Sequence, residues 1–296
     1  MSSFWSWWIT IIAVGNILAC YWLIKWASKP QPGEAATGDV TGHKWDETLE
    51  EYNNPLPRWW LWMFYATILF GLVYLYLYPG LGNWKGYLGW TSHGQYEKEM
   101  EQAKAKYDPI FAAFASKPIP DLAQDPAALK VGERLFLNYC ANCHGSTATG
   151  APGFPNLTDN DWLWGGDPQT IKTTILDGRS GAMPAWGEIL GPDKVDKVAE
   201  YVLSLSGRSH DAEKAAEGKA IFQTNCVACH GPDGKGNPAL GAPNLTDNVW
   251  LYGGSPGTIR QTITHGRNGH MPAHRQFLGE NKVHVLAAYV YSLSHR

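Results

Sequence analysis

The sequence predicts an all-α chain in which two N-terminal transmembrane helices precede two copies of a small helical domain. The prediction depends on two apolar runs near the N-terminus and on an internal duplication that fills the C-terminal half. A chain of 296 residues has room for two small domains and an anchoring region. The formal net charge is −3, so the chain as a whole is not basic and no nucleic-acid partner is expected.

The two apolar runs have the length of membrane spans. The run from Phe4 to Ile24 contains 21 uncharged residues, and the run from Trp59 to Tyr78 contains 20. A helix needs about 20 apolar residues to cross the hydrocarbon core. Buried core helices are usually amphipathic, whereas these runs are apolar on every side. Tryptophans cluster at them, as in aromatic belts: Trp5, Trp7, Trp8, Trp22, Trp26, Trp59, Trp60 and Trp62.

The first run could also be a lipoprotein signal peptide, because Ile17-Leu18-Ala19-Cys20 has the form of a lipidation site. No Lys or Arg precedes the run, however, and it continues past Cys20. We therefore expect a retained anchor. The predicted segments are transmembrane helix 1 (1–27), a connector (28–57), transmembrane helix 2 (58–81), a linker (82–126) and the repeated domains (127–209 and 210–296).

Each copy of the duplication contains a C-x-x-C-H motif. Residues 132–206 and 218–294 also share P-N-L-T-D-N, G-x-M-P and A-x-Y-V-x-S-L-S. C-x-x-C-H is the attachment signature of c-type haem, in which two thiols form thioethers and the histidine binds the iron. The predicted residues are Cys140, Cys143 and His144 in the first copy and Cys226, Cys229 and His230 in the second. The sequence therefore predicts two covalently bound haem c groups.

Zinc ribbons and thioredoxin-type redox pairs also use C-x-x-C. A zinc ribbon needs four ligands, from a second cysteine pair or from distant histidines. A redox pair lies in a βαβ context and needs no histidine directly after it. Neither class of site accounts for a methionine at matching positions of both copies.

These methionines, Met183 and Met271, are the predicted sixth ligands of the two irons. They lie 39 residues after His144 and 41 residues after His230, each directly before a proline. A thioether opposite an imidazole suits an electron-transfer haem, whereas a methionine elsewhere often only fills a gap in the core. Three histidines near Met271 compete for the second iron: His265, His270 and His274.

The remaining repeated residues predict how each copy folds. Short helices over 127–139 and 213–225 are expected to lead into the motifs, and amphipathic helices over 193–206 and 281–294 to close the domains. Gly132 and Gly218 would permit close helix contacts. We expect two ring contacts, each within one copy: Phe136 with Tyr201, and Phe222 with Tyr289.

This arrangement resembles the class I cytochrome c fold, in which N- and C-terminal helices cross and loops wrap the haem. In that family a proline carbonyl accepts a hydrogen bond from Nδ1 of the haem-ligating histidine. Pro155 and Pro243 lie at the matching positions, and such a bond would orient the ligand.

The basic residues near the spans predict the orientation of the chain. Lys25, Lys29, Lys44 and Arg58 lie on or beside the connector, whereas only Lys85 closely follows the second run. The positive-inside rule places the connector in the cytoplasm. In a bacterium, both haem domains would then lie in the periplasm, where c-type haem is attached.

The stretch T-G-H-K-W-D-E-T-L-E-E-Y-N-N-P-L-P-R-W-W, together with both C-x-x-C-H domains, resembles the diheme subunit (subunit III) of cbb3-type cytochrome c oxidase. The resemblance covers nearly the whole chain. It implies an inner-membrane subunit that takes electrons from a soluble cytochrome c. The electrons would pass to a monohaem cytochrome c subunit and the haem–copper catalytic subunit.

No paired carboxylates, nucleophile triad or phosphate loop suggest a separate catalytic centre, so we expect no catalytic residues. One alternative is a membrane-anchored diheme shuttle that serves another respiratory enzyme. A diheme peroxidase would need an open sixth site on one iron, which the paired methionines disfavour. A haem-based gas sensor would need an output domain, and the sequence contains no recognisable one.

Overall fold

The computed structural model describes residues 1–295, so Arg296, at the end of the predicted second domain, lies outside the described residues. The chain is mostly helical, and its compact units are Met1–Lys104 and Ala105–Arg296. Four short strands in two ladders qualify the expectation of an all-α chain.

The first unit contains the two apolar helices and a hairpin. Its elements are α1 (Ser3–Ala27), β1 (Val40–Trp45), β2 (Leu49–Tyr52), α2 (Arg58–Leu77) and the start of α3 (Ser92–Ala115). Both α1 and α2 are long and apolar enough to cross a membrane, none of their residues is buried, and they contact each other. The hairpin was not predicted, because its strands are mostly exposed and lack the apolar–polar alternation that marks a half-buried strand.

The second unit contains the duplication. Its further elements are α4 (Ile119–Leu122), α5 (Pro126–Tyr139), α6 (Ala141–His144), α7 (Pro168–Asp177), β3 (Arg179–Met183), α8 (Gly187–Leu205), α9 (Ala212–Asn225), α10 (Val227–His230), α11 (Pro256–His265), β4 (Arg267–Met271), α12 (Arg275–Leu278) and α13 (Glu280–Ser294). The four helices predicted in the duplication are therefore confirmed.

Local sequence explains where the helices that lead into the motifs begin. Asp125 accepts hydrogen bonds from the amides of Ala127 and Ala128 and so caps α5, while Asp211 caps α9 in the same way. Proline occupies the first turn of α5, where its missing N–H costs no hydrogen bond. Both helices are thereby fixed directly before a C-x-x-C-H motif.

The helices of the second unit pack into two lobes that combine the copies. In lobe 1, α5, α6 and α7 from the first copy, together with α4 from the end of the linker, pack with α12 and α13 from the second. In lobe 2, α8 from the end of the first copy packs with α9 and α11, and α10 contacts α9. Lobe 2 is thus contiguous in sequence, whereas lobe 1 is built from two separate segments. The boundary between the lobes does not coincide with the boundary between the repeats at 209/210.

The ring contacts expected within each copy are therefore wrong. Phe136 packs on Tyr289, with ring centroids 5.6 Å apart, and Phe222 packs on Tyr201 at 5.2 Å. The closing helices exist as predicted, but each covers the motif of the other copy. Both repeats have Phe and Tyr at these positions, so the same Phe–Tyr contact forms whether a closing helix packs within its own copy or on the other copy. The sequence therefore cannot distinguish these two arrangements.

Gly132 shows how closely the exchanged helices approach. A Cβ atom at this position would lie 2.5 Å from the Cβ of Tyr289 and 3.1 Å from the carbonyl oxygen of Val285. Gly218 lies equally close to α8, where a Cβ would collide with the carbonyl of Lys197. The predicted close contacts are present, and both join the two copies.

Charged groups add a further contact between the copies in lobe 2. Arg260 of α11 bonds to Asp196 at 2.5 Å and to Glu200 at 2.7 Å, both on α8. Glu200 also accepts a hydrogen bond from the amide of Asp211 at 2.8 Å. The buried carboxylate of Glu200 is therefore paired, as the desolvation of a charge requires.

Candidate haem-binding sites

The first C-x-x-C-H motif forms one helical turn at the end of α5. The amide of Cys140 donates to the carbonyl of Phe136 at 2.8 Å, and the amide of His144 donates to the carbonyl of Cys140 at 3.0 Å. These bonds fix both cysteines and the histidine on a single turn. Because Phe136 is fully buried, the turn is anchored directly to the core of lobe 1.

The second motif repeats this geometry in lobe 2. The amide of Cys226 donates to the carbonyl of Phe222 at 2.9 Å, and the amide of His230 donates to the carbonyl of Cys226 at 3.0 Å. Phe222 is also buried. The two motifs are therefore equivalent local structures, as the repeat predicts.

All four motif cysteines are free thiols, as haem attachment requires. Cys140 and Cys226 are half-buried, and burial, followed by the neighbouring cysteine's charge, raises the pKa of each thiol to about 11. Cys143 and Cys229 are exposed. The second thioether of each haem would therefore lie at the surface of its lobe.

The histidines are oriented by the proline carbonyls that the family resemblance implied. Nδ1 of His144 donates to the carbonyl of Pro155 at 3.0 Å, and Nδ1 of His230 donates to that of Pro243 at 3.2 Å. Burial lowers the pKa of both histidines, and the hydrogen bond opposes this effect. Each ring is thus held neutral with Nδ1 protonated, so Nε2 can bind a metal.

The methionines end the two strands that connect the lobes. Strands β3 and β4 pair antiparallel with Gly181 opposite Gly269, which places Met183 opposite Arg267 and Met271 opposite Arg179. Both methionine side chains are half-buried.

Each methionine packs against the core that holds the other copy's motif. Met271 contacts the lobe 1 core together with Cys140. Met183 contacts the lobe 2 core together with Cys226. The structure therefore brings all the predicted ligands into two groups, but these groups do not follow the repeats.

The three competing histidines have different surroundings. Nδ1 of His270 hydrogen-bonds with Oγ of Ser180 at 2.8 Å, and His265 is exposed at the end of α11. His274 is half-buried on the lobe 1 side, where its amide donates to the carbonyl of Ile175 at 3.1 Å. Its Nδ1 is buried and has no hydrogen-bond partner among residues 1–295.

A second buried polar atom supports the fit of a haem to lobe 2. Nε1 of Trp250 is buried and finds no acceptor in the described part of the chain, although buried N–H groups normally have one. A haem propionate would supply such an acceptor. The Arg208 guanidinium lies 5.7 Å from the Trp250 ring centroid, which adds positive charge beside the ring. Together with the free thiols and the oriented histidine, these groups fit a covalently bound haem.

The tryptophan and one acidic pair were missed by the sequence analysis. The D-N-x-W segment occurs in both copies, which was the available signal for Trp250.

No paired carboxylates were expected, yet Asp161 and Asp247 meet beside a cavity of about 460 Å³ between the repeated loops. Burial, then the charges of Asp247 and Asp159, raises the pKa of Asp161. Asp161 lies 86 residues from Asp247, so the sequence gave no reason to pair them.

Two family models match most of the chain. Residues 37–85 match the N-terminal domain of cytochrome oxidase-cbb3, FixP. Residues 127–202 and 213–290 each match the family described as cytochrome c oxidase, cbb3-type, subunit III.

Whole-chain relatives point to the same family. The cbb3-type cytochrome c oxidase subunit CcoP of Rubrivivax gelatinosus is 50% identical over 294 residues, which cover 99% of this chain and 96% of the relative. CcoP of Cereibacter sphaeroides is 41% identical over 285 residues, with 90% and 97% covered. Subunit FixP of Azorhizobium caulinodans is 43% identical over 280 residues, with 88% and 95% covered. With its two C-x-x-C-H turns and both family matches, the chain belongs to the subunit III family of cbb3-type cytochrome c oxidases.

Proposed function

We propose that this chain relays electrons through two covalently bound haem c groups as a non-catalytic subunit of a cbb3-type oxidase. The observation that carries the proposal is the repeated turn in which two free thiols and a histidine, oriented by a proline carbonyl, share one helix end. Two such turns support two haems per chain. The family to which the chain belongs supports the assignment to the oxidase.

The side chains have distinct tasks in this relay. Cys140 and Cys143 would form the thioethers of one haem, and Cys226 and Cys229 those of the other: a tethered group does not dissociate between turnovers. His144 and His230 would bind the irons through Nε2, and Met183 and Met271 would supply the sixth ligands. When bound, the haems supply reversible one-electron chemistry at a potential that the thioether ligand raises.

The two apolar helices support a membrane anchor. We place α1 and α2 across the inner membrane, the connector over 28–57 in the cytoplasm and the haem lobes in the periplasm.

Reporter fusions test this topology. An alkaline phosphatase fused after residue 40 should be inactive and one fused after residue 90 active, because that enzyme folds only in the periplasm. The opposite pattern would place the haem lobes in the cytoplasm and contradict the proposal.

The proposed partners are a soluble cytochrome c donor, a monohaem cytochrome c subunit, the haem–copper catalytic subunit and membrane lipid. Electrons would enter from the donor and leave toward the catalytic subunit, where oxygen is reduced. Cys143 and Cys229 are exposed, which supports a haem edge at the surface of each lobe, where electrons could pass between proteins.

Haem counting and electron transfer test the function together. The purified full-length chain should contain two haems that stay attached after denaturation, and Cys140→Ala with Cys143→Ala should leave one. In the assembled oxidase, reduced soluble cytochrome c should reduce the haems of this chain before oxygen is consumed. A chain without covalent haem would contradict the proposal, as would an oxidase that oxidises cytochrome c equally fast without this subunit.

A further inference from the structure

We propose that Arg179 and Arg267 hold the reduction potentials of the two haems high by placing an unpaired positive charge beside each iron. Arg179 acts on the haem of lobe 1, and Arg267 acts on the haem of lobe 2. This inference rests on the proposed haem function and names the residues that tune it.

The inner face of the strand ladder carries both arginines. Directly opposite residues of an antiparallel ladder share a face, and so do alternate residues of one strand. Arg179 lies opposite Met271, and Arg267 lies opposite Met183. The first, third and fifth residues of each strand are half-buried, whereas the two between them are exposed. Each methionine therefore has a guanidinium side chain as its neighbour across the ladder, on the side that faces the protein.

Each arginine is fastened to the lobe whose core its opposite methionine contacts. Nε of Arg179 donates to Oγ1 of Thr174 at 2.9 Å, and Thr174 belongs to α7 of lobe 1. Nε and Nη2 of Arg267 donate to Oγ1 of Thr262 at 3.0 and 2.8 Å, and Thr262 belongs to α11 of lobe 2. The two guanidiniums are thus held in place on different lobes.

An aromatic ring covers each guanidinium. Cζ of Arg179 lies 5.0 Å from the ring centroid of Trp164, and Cζ of Arg267 lies 4.4 Å from that of Tyr252. Both distances lie in the range of cation–π contacts. The rings keep water from one side of each cation, so its field is screened less than that of an exposed charge.

Neither guanidinium forms an ion pair in the chain as it is described to His295. The hydrogen-bond acceptors of both are threonine hydroxyls, which carry no charge. Arg260 and Arg275, by contrast, each pair with two carboxylates. The positive charges of Arg179 and Arg267 are therefore free to act on the groups beside them.

A fixed cation beside a haem favours the reduced iron. The iron gains one unit of positive charge when it gives up its electron, so a neighbouring guanidinium disfavours the ferric state and raises the potential. Opposite ladder positions have Cβ atoms about 5 Å apart. Even at about 12 Å and an effective dielectric constant of about 20, a unit charge changes the ferric-to-ferrous ratio by about tenfold. A haem carboxylate beside the guanidinium leaves the sign unchanged, because removal of the cation would then expose the iron to an unbalanced anion.

Redox titration of the full-length, two-haem chain tests the inference, provided that the haems can be followed separately. Cys143→Ala removes one thioether from the first haem and leaves a vinyl group, which moves its ferrous α-band to longer wavelength. Cys143 is exposed, so the substitution leaves the core intact. In this background Arg179→Gln removes the charge. Arg179→Lys keeps the charge but lacks the planar guanidinium that stacks on Trp164.

Arg179→Gln should raise the ferric-to-ferrous ratio of the labelled haem by about tenfold at a fixed potential, which is a fall of about 59 mV in its midpoint. Arg179→Lys should retain most of the original midpoint. Arg267→Gln should lower the midpoint of the unlabelled haem instead. Arg134→Gln, at an exposed position of α5, is the matched control and should shift neither haem.

An unchanged midpoint in Arg179→Gln would overturn the inference. Equal falls in Arg179→Gln and Arg179→Lys would also overturn it, because they would show that the guanidinium acts through packing and not through its charge. A fall confined to the unlabelled haem would overturn the assignment of Arg179 to lobe 1. Absence of covalent haem from the chain with both motifs intact would instead refute the proposed function.

A second pair of variants guards against an arginine variant that does not fold. Thr174→Asp keeps Arg179 and places a carboxylate at its hydrogen-bond acceptor, where it neutralises the guanidinium. Thr174→Asn has the same shape without the charge. The aspartate variant should lower the midpoint of the labelled haem, and the asparagine variant should leave it unchanged. Equal midpoints in the two variants would overturn the inference.

Discussion

The exchange of helices between the copies can be tested energetically by a double-mutant cycle on Phe136 and Tyr289. Both rings are buried in lobe 1, with centroids 5.6 Å apart and an interplanar angle of 50°. Replacing each with leucine, singly and together, removes the ring–ring contact while keeping most of the apolar volume. The cycle isolates the contact between the two side chains from the cost of each substitution.

The structure sets the expected magnitude. An aromatic pair at this distance contributes about 1 kcal/mol beyond the area it buries, so the coupling between Phe136 and Tyr289 should be about 1 kcal/mol. Residues without a shared contact add to within about 0.5 kcal/mol. Phe136 and Tyr201 belong to different lobes, so their cycle should show no coupling above that limit. Phe222 with Tyr201, 5.2 Å apart, should match the first pair.

The assay is guanidinium chloride unfolding of the full-length haem-loaded chain, followed by the haem absorbance and by circular dichroism. Phe136→Ala sets the scale, because truncation of a buried phenylalanine costs about 3–5 kcal/mol. A coupling of about 1 kcal/mol between Phe136 and Tyr201, with none between Phe136 and Tyr289, would show that each copy closes on itself. That result would refute the exchanged lobes.

Three further outcomes follow from particular contacts. Gly132→Ala should lower the free energy of unfolding by about 1–3 kcal/mol in the same assay, because the added Cβ would lie 2.5 Å from the Cβ of Tyr289. Unchanged stability would contradict the close contact between the helices. The raised pKa of Asp161 means that the folded state favours the protonated carboxyl and loses stability as the pH rises through that pKa. Asp161→Asn should therefore raise the melting temperature near about pH 7 but not near about pH 3, and an equal gain at both pH values would contradict the raised pKa. Arg260→Leu should cost about 2 kcal/mol, because the buried carboxylate of Glu200 loses its charged partner and keeps only the hydrogen bond from the Asp211 amide. Lys172→Leu, at the equivalent position of the first copy, should cost less than about 0.5 kcal/mol, and equal losses would show that the ion pairs of Arg260 contribute nothing.

Much of the site follows from local sequence. The C-x-x-C-H spacing predicts one helical turn, and Asp125 and Asp211 fix where the preceding helices begin. The hydrogen bonds from His144 and His230 to proline carbonyls were implied by the family resemblance and are confirmed. These features depend on residues close together in the chain, so their geometry can be predicted without the tertiary structure.

The pairing of the lobes could not be predicted in the same way. Tyr201 and Tyr289 occupy the same position of the repeat. The hydrophobic pattern and the positions of the glycines therefore fit equally well whether the closing helix packs on its own copy or on the other copy. The ladder through Gly181 and Gly269 decides between them, and it joins residues 88 positions apart. The meeting of Asp161 with Asp247 escaped prediction for the same reason.

The discontinuity of lobe 1 sets an order for the maturation of the chain. Lobe 2 can close once residues 187–265 have been synthesised, because all its helices lie in that segment. The first motif is synthesised earlier, but its lobe cannot close until α13 is complete at Ser294. The two segments of lobe 1 are separated in the chain by residues 178–274, and long-range contacts of this kind form slowly. The first cysteine pair, Cys140 and Cys143, therefore waits longest for its lobe to close.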